Sequence, residues 1–65
     1  MNQQIKLHAY SLRPDESIIL DLHQFEDEVN ALLTNGWTIS GPSFMVTKEG
    51  YPPAIIQPLF RLIKQ

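Results

Sequence analysis

A chain of 65 residues without cysteine has room for one domain and can rely on neither disulfides nor thiolate-bound metal for stability. Its formal charge of −2 excludes the strongly basic surface that binding to polymeric DNA or RNA demands. Residues 1–6 are polar, so we expect no signal peptide, and no apolar run approaches the ~20 residues of a membrane span. We therefore expect one domain over residues 1–65, located in the cytoplasm (the host cytoplasm if a phage encodes it) and without membrane contact.

The first predicted strand covers about residues 4–12, where apolar and polar residues alternate with the period of a half-buried strand. The apolar members of this alternation are Ile5, Leu7 and Ala9. A polar break follows at residues 13–17, around Pro14. The apolar residues 18–20 are too few for a helix of their own, so we interpret them as an extended segment or as a staple that packs under the start of the next helix.

The predicted helix begins at Asp21, a residue type that is favoured at the N-cap. Its apolar stripe consists of Phe25, Val29, Leu32 and Leu33. Gly36 predicts the helix end, because glycine closes the last turn at little steric cost. Trp37 follows at once and is expected in the core, where it would join the helix to the sheet. The acidic residues 26–28 are typical of a solvated helix face.

Two further strands complete the predicted sheet. The second covers about residues 38–48 and bends where Gly41 and Pro42 interrupt it. After a turn at residues 49–53, the last strand covers about residues 54–64. The predicted fold class is α+β: a β-α-β-β unit with one helix packed on a three-stranded, mostly antiparallel sheet.

Both faces of the last strand are apolar. One face carries Ile56, Phe60 and Leu62, and the other carries Ile55, Leu59 and Ile63. One helix covers one face of a sheet, so the second face is predicted to be an exposed apolar patch of the kind that marks interfaces. We therefore expect a homo-oligomer, a dimer or a tetramer. Pro58 predicts an edge position or a bulge for this strand, because proline cannot donate to a ladder.

The sequence does not carry a recognisable catalytic pattern, neither a Ser/His/Asp nor a glycine-rich phosphate loop. His23 and Asp27 are four residues apart on the predicted helix, which can place two metal ligands on one face. A surface histidine paired with a carboxylate is the interpretation that we favour. We expect no enzyme, no catalytic residue, no cofactor and no metal.

Tyr51 lies in a proline-bounded turn and is the aromatic residue that we expect to be most exposed. An exposed ring beside hydroxyl groups and a cation can stack on a base and hold a phosphate, whereas a turn tyrosine that caps the core is the alternative interpretation. Arg61 interrupts an otherwise apolar strand and needs a partner or solvent. The candidate ligand-binding residues are Tyr51, Lys48, Ser43, Thr47 and Arg61.

The pattern V-N-x-L-L-x-x-G-W, from Val29 to Trp37, resembles a family of very short bacterial and phage proteins of unknown function. In that family a strand, a helix ending in G-W and two more strands make the whole protein, which commonly ends in a strand reading roughly Q-A-M-V-[KR]. Residues 57–61 occupy that place here, with Pro58 where the family has alanine. The resemblance covers about residues 22–63 and implies a β-α-β-β unit that oligomerises.

A looser resemblance is to small phage proteins that sequester nucleotide immune signals in anti-defence. Those proteins are cysteine-poor oligomers that bind a cyclic dinucleotide or a related signal between subunits. The resemblance implies a non-enzymatic homo-oligomer that holds a small anionic nucleotide at its subunit interfaces. The alternative function is a protein-interaction module that inhibits or adapts a host protein through the acidic helix face or an edge strand.

Overall fold

The computed structural model describes residues 2–63. Within this range the chain forms β1 (Asn2–Ser11), α1 (Ile18–Thr34), β2 (Thr38–Ile39), β3 (Phe44–Lys48) and β4 (Tyr51–Ile63). One helix and a four-stranded antiparallel sheet confirm the predicted α+β class. The first strand begins and ends earlier than predicted, and the last one begins three residues earlier; its predicted end, Lys64, lies outside the described residues.

Strand β4 is the centre of the sheet. It pairs with β1 along one side, and with β2 and β3 along the other. The prediction of one bent strand over residues 38–48 was wrong, because this segment forms two separate short strands. The break contains Gly41 and Pro42, and proline has no N–H to give to a ladder. The sheet therefore has four strands where three were predicted.

Pro58 lies in this central strand, so the prediction of an edge position or a bulge at Pro58 was wrong. Its carbonyl oxygen accepts a hydrogen bond from the Ser40 N–H at 3.1 Å, on the side of β2 and β3. The N–H and C=O of one strand residue point to the same side, so the missing donor of Pro58 faces the break between β2 and β3. No residue of β2 or β3 is paired with Pro58, so the missing N–H leaves no ladder hydrogen bond unmade there.

The helix begins earlier than predicted, and residues 18–20 form its first turn instead of an extended segment. The preceding turn is closed by Asp15, whose side chain accepts from the Ser17 N–H at 2.7 Å and whose carbonyl accepts from the Ile18 N–H at 3.1 Å. Asp21 is therefore inside the helix and is not its N-cap. Only 3% of Asp21 is exposed, and its carboxylate binds Arg13.

The helix ends at Thr34, and Gly36 closes its last turn as predicted. Its φ of 94° is left-handed, and the Gly36 N–H donates to the Leu33 carbonyl while the Trp37 N–H donates to the Leu32 carbonyl. These two bonds form the Schellman motif, which satisfies carbonyls at the helix end. The chain then enters β2 directly at Thr38, so Trp37 is held between the helix and the sheet.

The helix lies over the polar side of β1. His8 contacts both Phe25 and Glu28 of α1, so the side chains of even number in β1 point toward the helix. The opposite surface of the sheet is not covered within residues 2–63, and we call it the open face. Its side chains, which follow from the strand register, are Gln3, Ile5, Leu7, Ala9, Ser11, Thr38, Phe44, Val46, Ala54, Ile56, Pro58, Phe60 and Leu62.

The buried apolar core of the described chain is small. It consists of Leu12, Phe25, Val29 and Leu59. Leu12 is anchored by its N–H, which donates to the Pro53 carbonyl at 2.8 Å and extends the β1–β4 pairing by one bond. A core of this size between one helix and one sheet leaves much apolar surface exposed.

Candidate functional site

Two of the five predicted ligand-binding residues meet at the hairpin that joins β3 to β4. Lys48 and Tyr51 are cross-strand partners, and the Lys48 ammonium lies 5.3 Å from the centre of the Tyr51 ring. Tyr51 is 66% exposed, which confirms that it is an exposed aromatic residue and not a cap on the core. Thr47 is exposed beside this pair, at an irregularity in the β3–β4 register. The hairpin thus presents a cation on an aromatic ring to solvent.

The other two predicted residues lie elsewhere. Ser43 precedes β3 and lines a cleft between the helix and the sheet. Arg61 is ten residues beyond Tyr51 along β4, a separation of roughly 33 Å at the usual rise of a strand. In a single chain the five predicted residues therefore do not form one site.

Arg61 belongs to a cluster around Trp37. The Arg61 guanidinium carbon lies 4.4 Å from the centre of the Trp37 ring, and the Lys6 ammonium lies 5.9 Å from the same ring. The Arg61 Nε–H donates to the Gln4 side-chain oxygen at 2.8 Å. Trp37 is half-buried and contacts these cations, so it is less buried than the core residue we expected.

Sequence reasoning missed Lys6 and Gln4 as members of this cluster. Their contribution depends on the β1–β4 register, which places Gln4 opposite Arg61. Lys6 lies two residues further along β1, opposite Leu59. Residues that are diagonal across two strands lie on the same face within reach of long side chains. The local signal was the lysine within a β1 segment of otherwise uncharged residues, but only the register gives it a neighbour.

The charges of this cluster are not balanced within residues 2–63. The ion pairs in this part of the chain join Arg13 to Asp21 and His8 to Glu28, and neither involves Lys6 or Arg61. An aromatic ring attracts a cation through its quadrupole without neutralising the charge. The Trp37 cluster therefore carries two positive charges that no carboxylate of residues 2–63 pairs with.

Arg13 and Asp21 form a structural ion pair next to the helix start. The Arg13 side chain donates to both carboxylate oxygens of Asp21, and its backbone N–H donates to one of them at 2.8 Å. These hydrogen bonds, with the side-chain bond foremost, lower the pKa of Asp21 below its usual value. The pair ties the break at residues 13–17 to the helix.

The Glu28 carboxylate has a second structural role. It accepts from the Gln24 amide at 3.1 Å and contacts His8 Nε2 at 2.7 Å. The bond from Gln24, followed by that to His8, lowers the pKa of Glu28. His23, whose pairing with Asp27 suggested a metal face, is exposed, and no three His, Asp or Glu side chains of residues 2–63 are arranged to hold a metal ion.

The cleft between helix and sheet has a volume of about 400 Å³. Its walls are apolar, from Phe25, Val29 and Ile55, and Gln57 contributes a polar group. The Gln57 amide is already committed to the Gly41 carbonyl at 2.8 Å, and Glu26 adds a carboxylate to the lining. A negative charge at its wall makes this cleft unsuitable for an anionic ligand.

The open face of residues 2–63 is an uncharged, mostly apolar surface. It carries no charged residue, and its apolar side chains are strongly exposed: Ile5 by 71% and Leu7 by 61%. Leu62, Phe44 and Val46 continue the exposed apolar surface across three strands. Monomeric proteins rarely expose a contiguous apolar patch larger than a few hundred Å². This face has the character of an interface.

No protein-family model, curated protein or solved structure matches this chain. The resemblances drawn from the V-N-x-L-L-x-x-G-W pattern and from the phage nucleotide-binding proteins thus stay predictions. In the described part of the chain, the helix is too short and too polar to cross a membrane.

Proposed function

We propose that this chain is a small, non-enzymatic binding protein that works as a homo-oligomer and holds a small anionic ligand, a nucleotide signal being the ligand class that fits best. The observation that carries the oligomer is the open face. Its apolar side chains are exposed, while the helix covers the polar side chains of β1. The hydrophobic effect would favour burial of the open face over burial of the polar side.

The dimensions of the chain support this proposal. Its radius of gyration is 13.5 Å, whereas a compact chain of the same length has roughly 11 Å. Its accessible surface is 4926 Å², against roughly 4,200 Å² for a compact protein of this mass. The excess is close to the surface of about 800 Å² that each partner buries in a standard interface.

A second copy of the chain is the occupant that best fits the open face. Contacts related by a two-fold axis bring the same patch of both subunits together, so like charges in the patch would oppose assembly. The open face has no charges, and apolar surface is complementary to itself. The buried core of one chain is small, so its exposed apolar surface needs a partner as soon as the chain folds. A second copy of the same chain can always supply that partner.

The ligand part of the proposal is supported by two cations that lie on aromatic rings, Lys48 on Tyr51 and Arg61 on Trp37. Such pairs supply the positive charge and the stacking surface that a nucleotide uses. Thr47 remains a candidate for polar recognition beside the hairpin, whereas Ser43 lies at the other end of β3 and would need another subunit to join it. The two cation–ring pairs are far apart in one chain, so a ligand that contacts both would have to span two subunits.

Light scattering coupled to size-exclusion chromatography tests the oligomer. We expect the mass of at least two chains of 7.5 kDa each at micromolar concentration, and the mass of a single chain would refute the assembly. Isothermal titration with a panel of cyclic di- and trinucleotides tests the ligand class. An absence of heat with every member would refute the nucleotide version.

The exposed apolar side chains of the open face also favour a second candidate function, a protein-interaction module that inhibits or adapts a host protein. Exposed apolar surfaces of this kind suit protein partners, whereas small molecules bind in concave pockets. This function requires a free open face, and hence a monomer in solution. A monomeric chain that forms a stoichiometric complex with one purified host protein would support it, and a stable homo-oligomer would contradict it.

A further inference from the structure

We propose that Lys6, Arg61 and Gln4, gathered around Trp37, form a binding site for a phosphate group. This inference rests on the proposed function in one respect, that the ligand is a small anion. It goes further in naming where the anionic group binds. The site lies within one chain and uses two residues, Lys6 and Gln4, that the sequence did not suggest.

Trp37 fixes the geometry of this site. Its backbone is held by the Schellman motif at the helix end, and the ring lies close to the cations of two adjacent strands. The Lys6 ammonium is 5.9 Å and the Arg61 guanidinium carbon 4.4 Å from the ring centre, and these two distances together limit how far apart the cations are. The same ring therefore gathers two positive groups.

The donors at this place are largely free. A guanidinium has five N–H donors, and within residues 2–63 only the Nε–H of Arg61 has an acceptor, the Gln4 side chain. The Gln4 bond orients the guanidinium and leaves its two terminal nitrogens for a ligand. Lys6 has no carboxylate partner in this part of the chain either. An anion would relieve the repulsion between the two cations.

The combination of groups favours phosphate over a single carboxylate. The planar fork of an arginine binds two oxygens of a phosphate at once, and lysine adds a mobile point charge for a further oxygen. Lys6 and Arg61 are both half-buried, which weakens screening of their charges by water and salt. The inferred ligand is thus an oxyanion with a phosphate group, free or as part of a nucleotide.

Trp37 is the only tryptophan, so its fluorescence reports on this site alone. We would titrate the full chain with inorganic pyrophosphate and follow the emission of Trp37. The variants are Lys6→Gln and Arg61→Gln, each of which removes one charge. The matched control is Arg13→Gln, which removes one positive charge at the ion pair with Asp21, outside both cation–ring pairs, and keeps a donor for Asp21.

We expect pyrophosphate to change the emission of the wild-type chain and of Arg13→Gln with the same affinity. Each of the other variants should bind at least about tenfold more weakly, because a charge-assisted hydrogen bond is lost. Added salt should weaken binding by the wild type. No response in the folded wild-type chain, or equal affinity in all variants, would overturn the site.

Far-ultraviolet circular dichroism would establish that each variant is folded. If Arg61→Gln is not folded, Lys6→Gln and Arg61→Lys carry the test, since Arg61→Lys keeps the charge but loses the fork and should also bind more weakly. A nucleotide that binds equally well to Lys6→Gln and is lost in Lys48→Gln would overturn this site and leave the proposed function standing. Pyrophosphate binding at Trp37 without binding of any nucleotide would support this site and refute the nucleotide version of the proposed function.

Discussion

His8 and Glu28 meet across the helix–sheet interface, with 2.7 Å between the imidazole Nε2 and the carboxylate Oε1. The His8 ring also stacks on Phe25, with 5.9 Å between the ring centres. These contacts hold the polar side of β1 under the helix, and they turn Ile5 and Leu7 outward. The sheet therefore exposes its more apolar side, which a subunit of a larger assembly would bury.

The substitution Leu7→Asp should break the proposed oligomer. Leu7 is 61% exposed in the single chain, and burying a leucine side chain stabilises an interface by roughly 1.5–3 kcal/mol. A two-fold assembly loses this contribution twice and gains two buried charges. We expect the light-scattering mass to fall to that of a monomer, with dissociation more than about tenfold easier.

Leu20→Asp is the matched control, because Leu20 is 67% exposed but lies on the helix, away from the open face. This variant should keep the mass of the wild-type assembly. A loss of mass in both variants, or in neither, would contradict an interface at the open face.

Acid should destabilise the chain through Asp21. Its pKa is lowered in the folded state by Arg13, so the stabilisation is complete above the unfolded-state value of about 3.8. As pH falls from there through the lower folded-state pKa, the carboxylate is protonated and the stabilisation is lost. Asp21→Asn should therefore melt at a lower temperature at neutral pH, and its melting temperature should depend less on pH in this acid range.

Thermal melts followed by circular dichroism between pH 2 and pH 7 would measure this effect, at one protein concentration because an oligomer melts in a concentration-dependent way. Asp27→Asn is the control for loss of a carboxylate, since Asp27 is exposed on the helix and has no hydrogen bond within residues 2–63. An acid profile for Asp21→Asn that equals the wild-type profile would show that the ion pair does not contribute.

Local signals were sufficient for much of the fold. Gly36 marks the helix end because the left-handed conformation there is a local requirement, and the alternation of apolar and polar residues in β1 follows from strand geometry. The start of the helix was missed because Asp15 closes the turn before it, whereas the expected cap lies inside the helix. Asp21 has the residue type of a cap, but Arg13 binds its carboxylate from eight residues away and the helix extends past it.

The position of Pro58 could not be read from the sequence for a related reason. A proline in a central strand is tolerated only if its missing donor faces a gap, and that gap arises from the break between β2 and β3. The candidate site has the same limitation. Arg61 was recognised as a residue in need of a partner, but Lys6 and Gln4 become its neighbours only through the β1–β4 register.

Gln57→Leu should destabilise the chain at the break between β2 and β3. Gln57 is buried, and its amide donates to the carbonyls of Gly41 and Pro58 at 2.8 Å and 3.0 Å. Leucine has a similar volume but no donor, so the Gly41 carbonyl would lose its partner. The expected cost is about 1–3 kcal/mol in the free energy of unfolding.

Urea denaturation would measure this cost as a lower midpoint with an unchanged slope, since the surface exposed on unfolding stays the same. A midpoint equal to that of the wild type would mean that water replaces the amide as donor to Gly41. The hydrogen bond from Gln57 to Gly41 would then contribute nothing to stability at the break between β2 and β3.

Gly36→Ala and Gly41→Ala should differ, although no atom lies within 4 Å of the position that the new methyl group would take in either case. Gly36 has a φ of 94°, which an alanine adopts only at a cost of roughly 1–2 kcal/mol. Gly41 does not have a positive φ, so alanine there should be neutral or slightly stabilising, because it restricts the unfolded chain.

Thermal melts would measure this difference. In a domain of this size Gly36→Ala should melt several degrees lower than the wild type, at about 4–8 °C per kcal/mol, and Gly41→Ala at the wild-type temperature or above. Gly36→Asn provides the internal check, since asparagine tolerates the left-handed conformation and should recover part of the loss. Equal melting temperatures for the two alanine variants would show that the chain can leave the Schellman motif without cost, and that Trp37 is positioned by the sheet and not by the helix end.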